Sequence, residues 1–523
     1  MTAAIDTGTA VNAAERDGFA GLLRAEWTKF RTVPAWRLGL VAAVLVTLVF
    51  GVLAAAASKS VCDAAPGRTC TSPAETVGPD GEQVLDKFTL VHKSLTGDGG
   101  IVARVTSLTG IITYPRSDAD AIVPGVEPWS KAGIIIKDGT TTGSRYAAVM
   151  VTGGHGVRMQ YDYTHDTAGS PHTLVSASSP RWLRLTRSGA TLTGAESDDG
   201  SRWTTVGTAT LPELPATLQV GLFVTSPFDV QIEQGLGSGS ARHFTQASGV
   251  FDQVRLRGRE SGSWRGDTVG GASDTDWDRH HRAAGFTRSA GTFTVTGSGD
   301  IAPRPDPGTQ IQRALIGGFA GLLPMIVVAT LFITSEYRRP LIRTTLAAHP
   351  RRGRVLAAKA LVTGAVTFAA GLLAAGLAVP VCSRILRANG ARIPPLTALT
   401  AAQVIAGTAG VLALTAVLAL ALGALLRRSA AAVTAVVVAV VLPYFLAVTS
   451  AVPTTAAQWL LRVTPAAAFA VQQTAPQYPQ VDGPYTPSNG YFPLAPWAGF
   501  AVLCGYAVLA LGLAVHRLRR RDA

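Results

Sequence analysis

The chain is short of acidic residues and cysteine, and it lacks the motifs that carry most cofactor chemistry. There are 33 Asp and Glu against 46 Lys and Arg, and only 4 cysteines among 523 residues. No G-x-x-x-x-G-K-[ST] segment occurs, so ATP is not bound through a P-loop. No Cys/His spacing is typical of a zinc site. The sequence therefore predicts no catalytic residue, no metal and no cofactor held by this chain.

Other signs of chemistry are weak. His280 and His281 follow Asp276 and Asp278, a group with metal-ligating side chains, but a polar surface loop is the better interpretation. Carboxylates are plentiful in the polar part of the chain, yet no pair is marked out for acid–base work, which argues against a glycosidase.

Long apolar runs dominate the rest of the chain, whose hydrophobic fraction is 47%. Leu38–Ala57 is a run of about 20 residues, long enough as a helix to cross a bilayer. Ala54–Ser58 offers small residues for signal-peptide cleavage, but about 37 residues precede the run, which favours an uncleaved anchor. Five further spans are predicted at about 315–334, 356–380, 398–426, 430–450 and 496–516.

The basic residues indicate how these spans are oriented. The net charge is +13, and its densest clusters abut the apolar runs, as the positive-inside rule describes, so we reject nucleic-acid binding. Six spans with a cytoplasmic N-terminus place these clusters in the cytoplasm and residues 58–312 outside; Arg384, Arg387 and Arg392 depart from the pattern. The clusters comprise Arg338, Arg339, Arg343, Arg351, Arg352, Arg354, Arg427, Arg428, Arg517, Arg519, Arg520 and Arg521.

The segment before the first span is predicted to lie on the membrane surface. Residues 1–17 are small and polar and predict a disordered tail. In Gly18–Phe30, one helical face carries Leu22, Leu23, Trp27 and Phe30, with Arg24, Glu26 and Lys29 largely elsewhere. This amphipathic pattern predicts an interfacial helix that ends before Pro34.

Residues 58–312 alternate between apolar and polar side chains, with turn residues between short runs. Gly153–Gly154 and Asp199–Gly200 are hairpin-type turns. The pattern predicts a two-sheet antiparallel sandwich. The clearest strands are Gly133–Lys137, Tyr146–Thr152, Val157–Tyr163, Trp182–Arg187, Ala190–Glu196 and Leu218–Thr225.

Two smaller features accompany the spans. Cys62 and Cys70 follow the first span in a Pro/Gly loop, where a disulfide forms if that side is oxidising; two free thiols are the alternative. Cys382 and Cys504 lie in or beside apolar runs and are expected to be buried thiols. Trp459–Val471 is apolar but too short to span, which predicts a re-entrant or interfacial helix.

The segment 335–355, between the second and third spans, carries a dense polar pattern. Leu341, Thr345 and Ala348 share one face of a short helix between Pro340 and Pro350. Such a helix could dock a soluble partner. A plain positive-inside loop explains the same spacing equally well.

The membrane part resembles a known family. LLRAEWTKFRTVPAWRLGL, ITSEYRRPLIRTTLAAHPRRGRVLAAKALV and LLRVTPAAAFAVQQ resemble actinobacterial ABC transporter permeases of the second, exporter-like type. The resemblance implies a dimer, or a pair with a similar permease, with an ABC ATPase subunit seated on each copy. It implies coupling contacts, which on this sequence fall at Glu336, Tyr337, Arg338, Arg339, Arg343, Arg351 and Arg352, and at the surface-helix residues Leu23, Glu26, Trp27 and Phe30.

The polar part has a resemblance of its own. PWSKAGIIIKDG, SRYAAVMVTGGHGVRMQY and RWLRLTRSGATLTGAESDDGSRWTTVG look like concanavalin A-like lectin/glucanase sandwiches. GTFTVTGSGDIAP (Gly291–Pro303) looks like the strand that usually comes first, so a rearranged sandwich is expected. Such sandwiches often bind glycans on aromatic rings, for which Trp129, Tyr161, Tyr163 and Trp203 are candidates. The alternative is that these rings only pack in the core or between strands.

Together these observations predict an α-helical membrane protein with six transmembrane helices and an extracytoplasmic all-β sandwich between helices one and two. The expected units are 1–17, 18–57, 58–312 and 313–523. The expected function is the permease subunit of an ABC exporter in a bacterial plasma membrane, with ATP bound by the partner and both termini cytoplasmic. The alternative is a membrane-anchored glycan-binding or sensor protein, which would not need six spans.

Overall fold

The computed structural model describes most of the chain in ten separate stretches. They are 18–58, 76–114, 121–171, 175–232, 240–271, 284–305, 311–338, 351–391, 393 and 397–520. Cys62, Cys70, Arg339, Arg343, the histidine pair and the tail 1–17 lie outside the described residues.

Two helices open the described chain. Helix α1 is Phe19–Thr32 and helix α2 is Pro34–Ala57. Val33 between them is extended, with φ −90° and ψ 111°, because the residue before a proline is biased away from helical geometry. Pro34 then starts α2 at a position where its missing N–H has no helical partner to lose.

Strands follow, from Val84 to Pro303. They are β1 Val84–Asp86, β2 Phe88–Tyr114, β3 Ala121–Pro124, β4 Lys131–Lys137, β5 Tyr146–Thr152, β6 Val157–Tyr161, β7 His165–Ala168, β8 Arg181–Ser188, β9 Thr191–Ser197, β10 Thr204–Thr210, β11 Thr217–Thr225, β12 Asp229–Ile232, β13 Ser240–Val269, β14 Gly285–Ser289, β15 Thr292–Gly297 and β16 Ile301–Pro303. We call the described residues 76–305 the β-domain.

One antiparallel sheet of 14 strands takes the place of the two separate sheets that the alternation predicts. Strand β2 is 27 residues long: its first part pairs with β11, where Val91 faces Leu222, and its later part with β8, where Ile101 faces Leu185. The sheet folds over on itself, so that Ile101 and Leu185 share one buried core with Ile134 of β4. The large β-region is confirmed, and among the described strands it consists of this 14-stranded sheet and a two-stranded sheet of β1 and β16.

Buried ion pairs close the β-domain at the two ends of β4. Lys137 Nζ lies 2.9 Å from Asp86 Oδ2 in β1, and Lys131 Nζ lies 2.6 Å from Asp300 Oδ1 just before β16. Strand β1 pairs only with β16 among the described strands. The start and end of the β-domain are therefore held together, beneath the same sheet face.

Six described helices are long and apolar enough to cross a membrane. Their positions match the predicted spans closely. The six are helix α2, already described, and α3 Ile316–Arg338, α4 Arg352–Ala388, α5 Ala398–Leu426, α6 Ser429–Val448 and α8 Pro496–Arg520. Helix α6 contains one π-helical turn at Val437–Val441. Arg427, in left-handed geometry with φ 56°, makes the tight turn between α5 and α6.

The apolar segment before α8 does not span. Helix α7 is Thr454–Val463, and a 3-10 segment follows over Pro465–Gln472 with every residue buried. A Cβ at Gly499 of α8 would lie 2.0 Å from Ala467 O, so glycine is needed for this close approach. The 3-10 segment is thus packed tightly on α8.

Candidate functional site

Four charged side chains form a closed ring where α1, α3 and α4 meet. Lys29 Nζ lies 2.9 Å from Glu26 Oε1 and 3.1 Å from Glu336 Oε1. Lys359 Nζ lies 2.6 Å from Glu26 Oε2 and 2.6 Å from Glu336 Oε1. Each ammonium therefore bridges the same two carboxylates, and the ring as a whole carries no net charge. We call these four residues the charge ring.

Three separate pieces of chain supply the charge ring. Helix α1 buries Leu22, Glu26 and Phe30, which are four residues apart and so lie on one face. Glu336 comes from the last turns of α3, and Lys359 from the second turn of α4. Leu22 packs against Val355 and Ala358 of α4, which fixes α1 across the end of these two helices.

Burial makes this ring costly to break. Lys359 is fully buried and Glu26 is 1% exposed, whereas the Lys29 side chain is 37% exposed. Removing one partner of a buried ion pair costs about 3–5 kcal/mol, because an uncompensated charge stays behind. Burial works against the charge on Lys29, but its hydrogen bond to Glu26 and the charges of Glu26 and Glu336 outweigh it and raise the pKa of Lys29.

An aromatic cluster lies beneath the charge ring. Phe332 is in edge contact with Phe30 at 5.6 Å and with Trp36 at 4.9 Å between ring centroids. Lys359 Nζ lies 4.7 Å from the centroid of the Phe332 ring, where a cation is attracted by the ring face. The cluster shields the ion pairs and joins α1, α2 and α3 in one apolar contact.

Arginines cap the neighbouring helix ends. Arg352 Nη1 donates to Leu518 O of α8 at 2.5 Å, and Arg517 Nη1 donates to Leu425 O of α5 at 3.1 Å. Arg427 lies over the Tyr337 ring at 5.2 Å. Cations at helix C-termini satisfy free carbonyls and oppose the helix dipole. The ends of α3, α5 and α8 are thus linked around the charge ring.

The residues that the resemblance marked for coupling lie in different environments in the structure. Glu336 is buried in the charge ring and so does not offer a surface contact. Tyr337 is partly buried under Arg427, Arg351 is exposed, and Arg352 contacts α8. Arg338 ends α3. For all seven residues, including Arg339 and Arg343, the predicted coupling role stays a prediction.

The surface helix also differs in one respect from the predicted pattern. Phe30 is buried and Leu23 partly buried, but Trp27 is 46% exposed. Glu26 lies on the buried face of the helix, where the pattern predicted only apolar side chains. Its burial is tolerated because Lys359 forms an ion pair with it. Lys359 itself was missed; its signal was a lone lysine inside an apolar run, which is rarely placed there without a partner.

Burial removes two rings from the predicted glycan platform. Trp129 is 2% exposed and stacks on His155 at 3.9 Å, and the buried Tyr163 hydroxyl donates to Asp86 at 2.8 Å. Tyr161 stacks on His165 and Trp203 packs under Arg184, both partly exposed. These contacts serve packing, so an exposed platform of all four rings is not formed.

A polar cavity of about 510 Å³ opens elsewhere in the β-domain, beside Arg181, Glu196 and Asp199. Its charged groups are already engaged: Arg181 pairs with Asp198, and Glu196 accepts from Ser170. Backbone N–H groups of Arg202 and Ser201 hold the pKa of Asp199 below its usual range. Among the described residues, no three His, Cys, Asp or Glu lie together as metal ligands.

Replacing Lys359 by methionine is expected to loosen α1. Two buried carboxylates would then share only the half-exposed Lys29, at a cost of about 3–5 kcal/mol. Trypsin should cleave after Arg24 about tenfold faster or more in the purified protein, since cleavage follows the population of the open form. Arg354→Met, an exposed neighbour on α4, is the matched control and should leave the rate unchanged; equal rates in both variants would contradict the role of the charge ring.

Comparison with known proteins supports a transport assignment. The family model described as ABC-2 family transporter protein matches residues 196–523, a range that begins within β9 and includes helices α3 to α8. No curated protein matches. One solved structure, "The crystal structure of a functionally unknown protein from Saccharomyces cerevisiae", is 14% identical and aligns over 33% of this chain and 74% of its own, with a TM-score of 0.18. Since the family model covers well over half of the sequence, this chain belongs to the ABC-2 family of transporter proteins.

Proposed function

We propose that this chain is the membrane-spanning subunit of an ABC exporter and is driven by a separate ATP-binding subunit. Membership of the family implies a transport subunit that pairs with an ATPase. The observation that carries the proposal further is the charge ring, which ties α1 to the ends of α3 and α4. In this proposal the ATPase docks against α1 and the segment 339–354.

The charge ring suits the transmission of force from such a partner. Each ammonium contacts two carboxylates on different elements, so α1 cannot turn or slide without separating charges that are largely hidden from water. A displacement imposed on α1 or on the 339–354 segment would therefore move the ends of α3 and α4 with it. Closely packed elements with one favourable arrangement move as rigid bodies more readily than they deform.

Charge distribution supports a cytoplasmic location for the ring end of the helices. Helix α2 begins beside the charge ring and α3 ends there, while α2 ends beside Asn389, whose side chain donates to Ala55 O at 2.9 Å. Arg352, Arg354, Arg427 and Arg517 all lie at the ring end, against Arg384 and Arg387 at the other. By the positive-inside rule, this distribution supports an extracytoplasmic β-domain.

An apolar stripe along α2 is available to contact lipid or a second permease. Leu38, Val41, Leu45, Val49 and Leu53 are each more than half exposed, and their spacing of three and four residues places them on one face. In the exporter this face meets lipid or a second copy of the chain. The proposed unit is a homodimer, or a pair with a similar permease, carrying two ATPase subunits.

Neutralising one carboxylate tests the coupling. Glu26→Gln should leave the ATPase subunit co-purifying, because the Arg-rich segment at 339–354 is unchanged. ATP hydrolysis by the complex in nanodiscs should fall about tenfold, since a loosened α1 no longer transmits the partner's closure; one buried ion pair easily exceeds the 1.4 kcal/mol that such a factor requires. Glu213→Gln, at an exposed position of the β-domain, should hydrolyse ATP like the unchanged protein, and full activity in Glu26→Gln would contradict the coupling role.

Labelling single cysteines tests the orientation. In a chain whose native cysteines are replaced by serine, Ser201→Cys in the β-domain should react with a membrane-impermeant maleimide on intact cells. Arg519→Cys, at the ring end, should react only after the membrane is opened. Reaction of Arg519→Cys on intact cells, with Ser201→Cys protected, would reverse the proposed orientation.

A further inference from the structure

Arg384 and Arg387 stand apart from the other basic residues of the membrane part. Both are exposed and lie in the last two turns of α4, at the end remote from the charge ring. Within the described part of the chain, neither guanidinium forms an ion pair or a side-chain hydrogen bond. The sequence has no Asp or Glu between Glu336 and Asp482. These two charges therefore have no ion-pair partner among the described residues.

The exposed apolar side chains of α4 mark the depth of a bilayer. They begin at Leu361, which is 55% exposed, and end at Val381, which is 40% exposed. About 20 residues separate the two and rise about 30 Å along a helix, which is the thickness of the hydrocarbon core. Arg384 and Arg387 follow Val381 within two turns. Their guanidinium groups therefore lie at the level of the lipid headgroups.

Two tryptophans indicate the same level on neighbouring elements. Trp497 at the start of α8 is 58% exposed, and Trp459 of α7 is 57% exposed. Tryptophan is enriched where a span meets the headgroups. Both rings lie at the β-domain end of the helices, since α7 follows the end of α6 and Gln480, before α8, donates to Thr164 O of the β-domain at 3.0 Å. The headgroup level at this end is thus marked on three elements.

The last turns of α4 have the shape of a phospholipid site. Leu373, Leu377 and Val381 are exposed and four residues apart, so they lie on one face, and Arg384 continues that face. Arg387, three residues further, is a neighbour of Arg384 on the helix surface. Guanidinium groups bind phosphate oxygens through paired hydrogen bonds. An acyl chain can therefore lie along the leucines while its phosphate meets both arginines.

Charge favours a lipid over a second copy of the chain on this face. A symmetric contact between two copies sets the same patch against itself, so the arginines of the two copies would meet without a counter-charge. A headgroup with a net negative charge neutralises them. A zwitterionic headgroup brings its own ammonium and does so less well.

We propose that α4 holds an anionic phospholipid of the leaflet on the β-domain side: the headgroup phosphate accepts hydrogen bonds from Arg384 and Arg387, and an acyl chain lies along Leu373, Leu377 and Val381. No covalent bond changes. The site accounts for basic residues at the end of the spans where the positive-inside rule disfavours them. It requires only that α4 crosses a bilayer and does not depend on the ATPase or on the direction of transport.

Quenching by spin-labelled lipids tests the site in the full chain. In a chain whose native cysteines are serine, Leu377→Cys carries a bimane fluorophore in phosphatidylcholine vesicles. Phosphatidylglycerol or phosphatidylcholine with a doxyl group near the top of one acyl chain is added at equal mole fraction. The relative association constant should be about fivefold or more higher for phosphatidylglycerol, since each arginine near a bilayer surface contributes about that factor towards anionic lipid.

Three variants and a matched control locate the preference. Arg384→Gln combined with Arg387→Gln should make the two association constants equal, and each single substitution should remove part of the difference. Arg354→Gln, an exposed arginine at the other end of α4, makes the same change of charge and should keep the full preference.

Equal quenching by the two lipids in the unchanged protein would overturn the proposal, as would a preference that persists in the double variant. Quenching by neither lipid would show that another protein surface covers this face, which also overturns it. If the double variant fails to fold, the single variants decide, because each keeps one guanidinium and should still lower the preference.

Discussion

The membrane half of this protein depends on four charges that neutralise one another away from water. Glu26, Lys29, Glu336 and Lys359 form a ring in which every ammonium bridges two carboxylates. Such buried ion pairs add little net stability over apolar packing, but breaking one is expensive. Their contribution here is geometric, because they fix the position of α1 across the ends of α3 and α4, next to the aromatic cluster around Phe332.

The β-domain obeys a similar constraint at its own ends. Lys131 and Lys137, at the two ends of β4, pair with carboxylates from the entry and exit of the domain. The entry and exit of the β-domain are therefore held close to each other, as the pairing of β1 with β16 also shows. Residues 473–495, which run from the buried 3-10 segment to α8, provide a further connection to the spans. Gln480 Nε2 donates to Thr164 O of the β-domain at 3.0 Å, and Gln472, directly before this loop, donates to Thr408 of α5 at 3.3 Å.

Sequence patterns gave the spans and the short strands well, because their signals are local. Apolar runs with arginine at their ends located all six helices, and alternation located β4, β5, β8 and β11. The long strand β13 escaped because bulges such as Asp252/Arg255 interrupt its alternation. The charge ring escaped because its members lie up to 333 residues apart, and neither Glu26 nor Lys359 shows its partner locally; burial of Trp129 and Tyr163 likewise follows from long-range packing.

In the proposed exporter, the charge ring makes α1 and the ends of α3 and α4 move as one unit when the ATPase subunit closes. Spin labels at Thr28→Cys on α1 and Ala357→Cys on α4, both exposed positions, measure this directly in a chain whose native cysteines are serine. We expect the same mean distance and the same width of the distance distribution with the ATPase subunit bound, with or without ATP, and a broader distribution in Lys359→Met. A shift of about 5 Å on ATP binding, one helical turn, would contradict it.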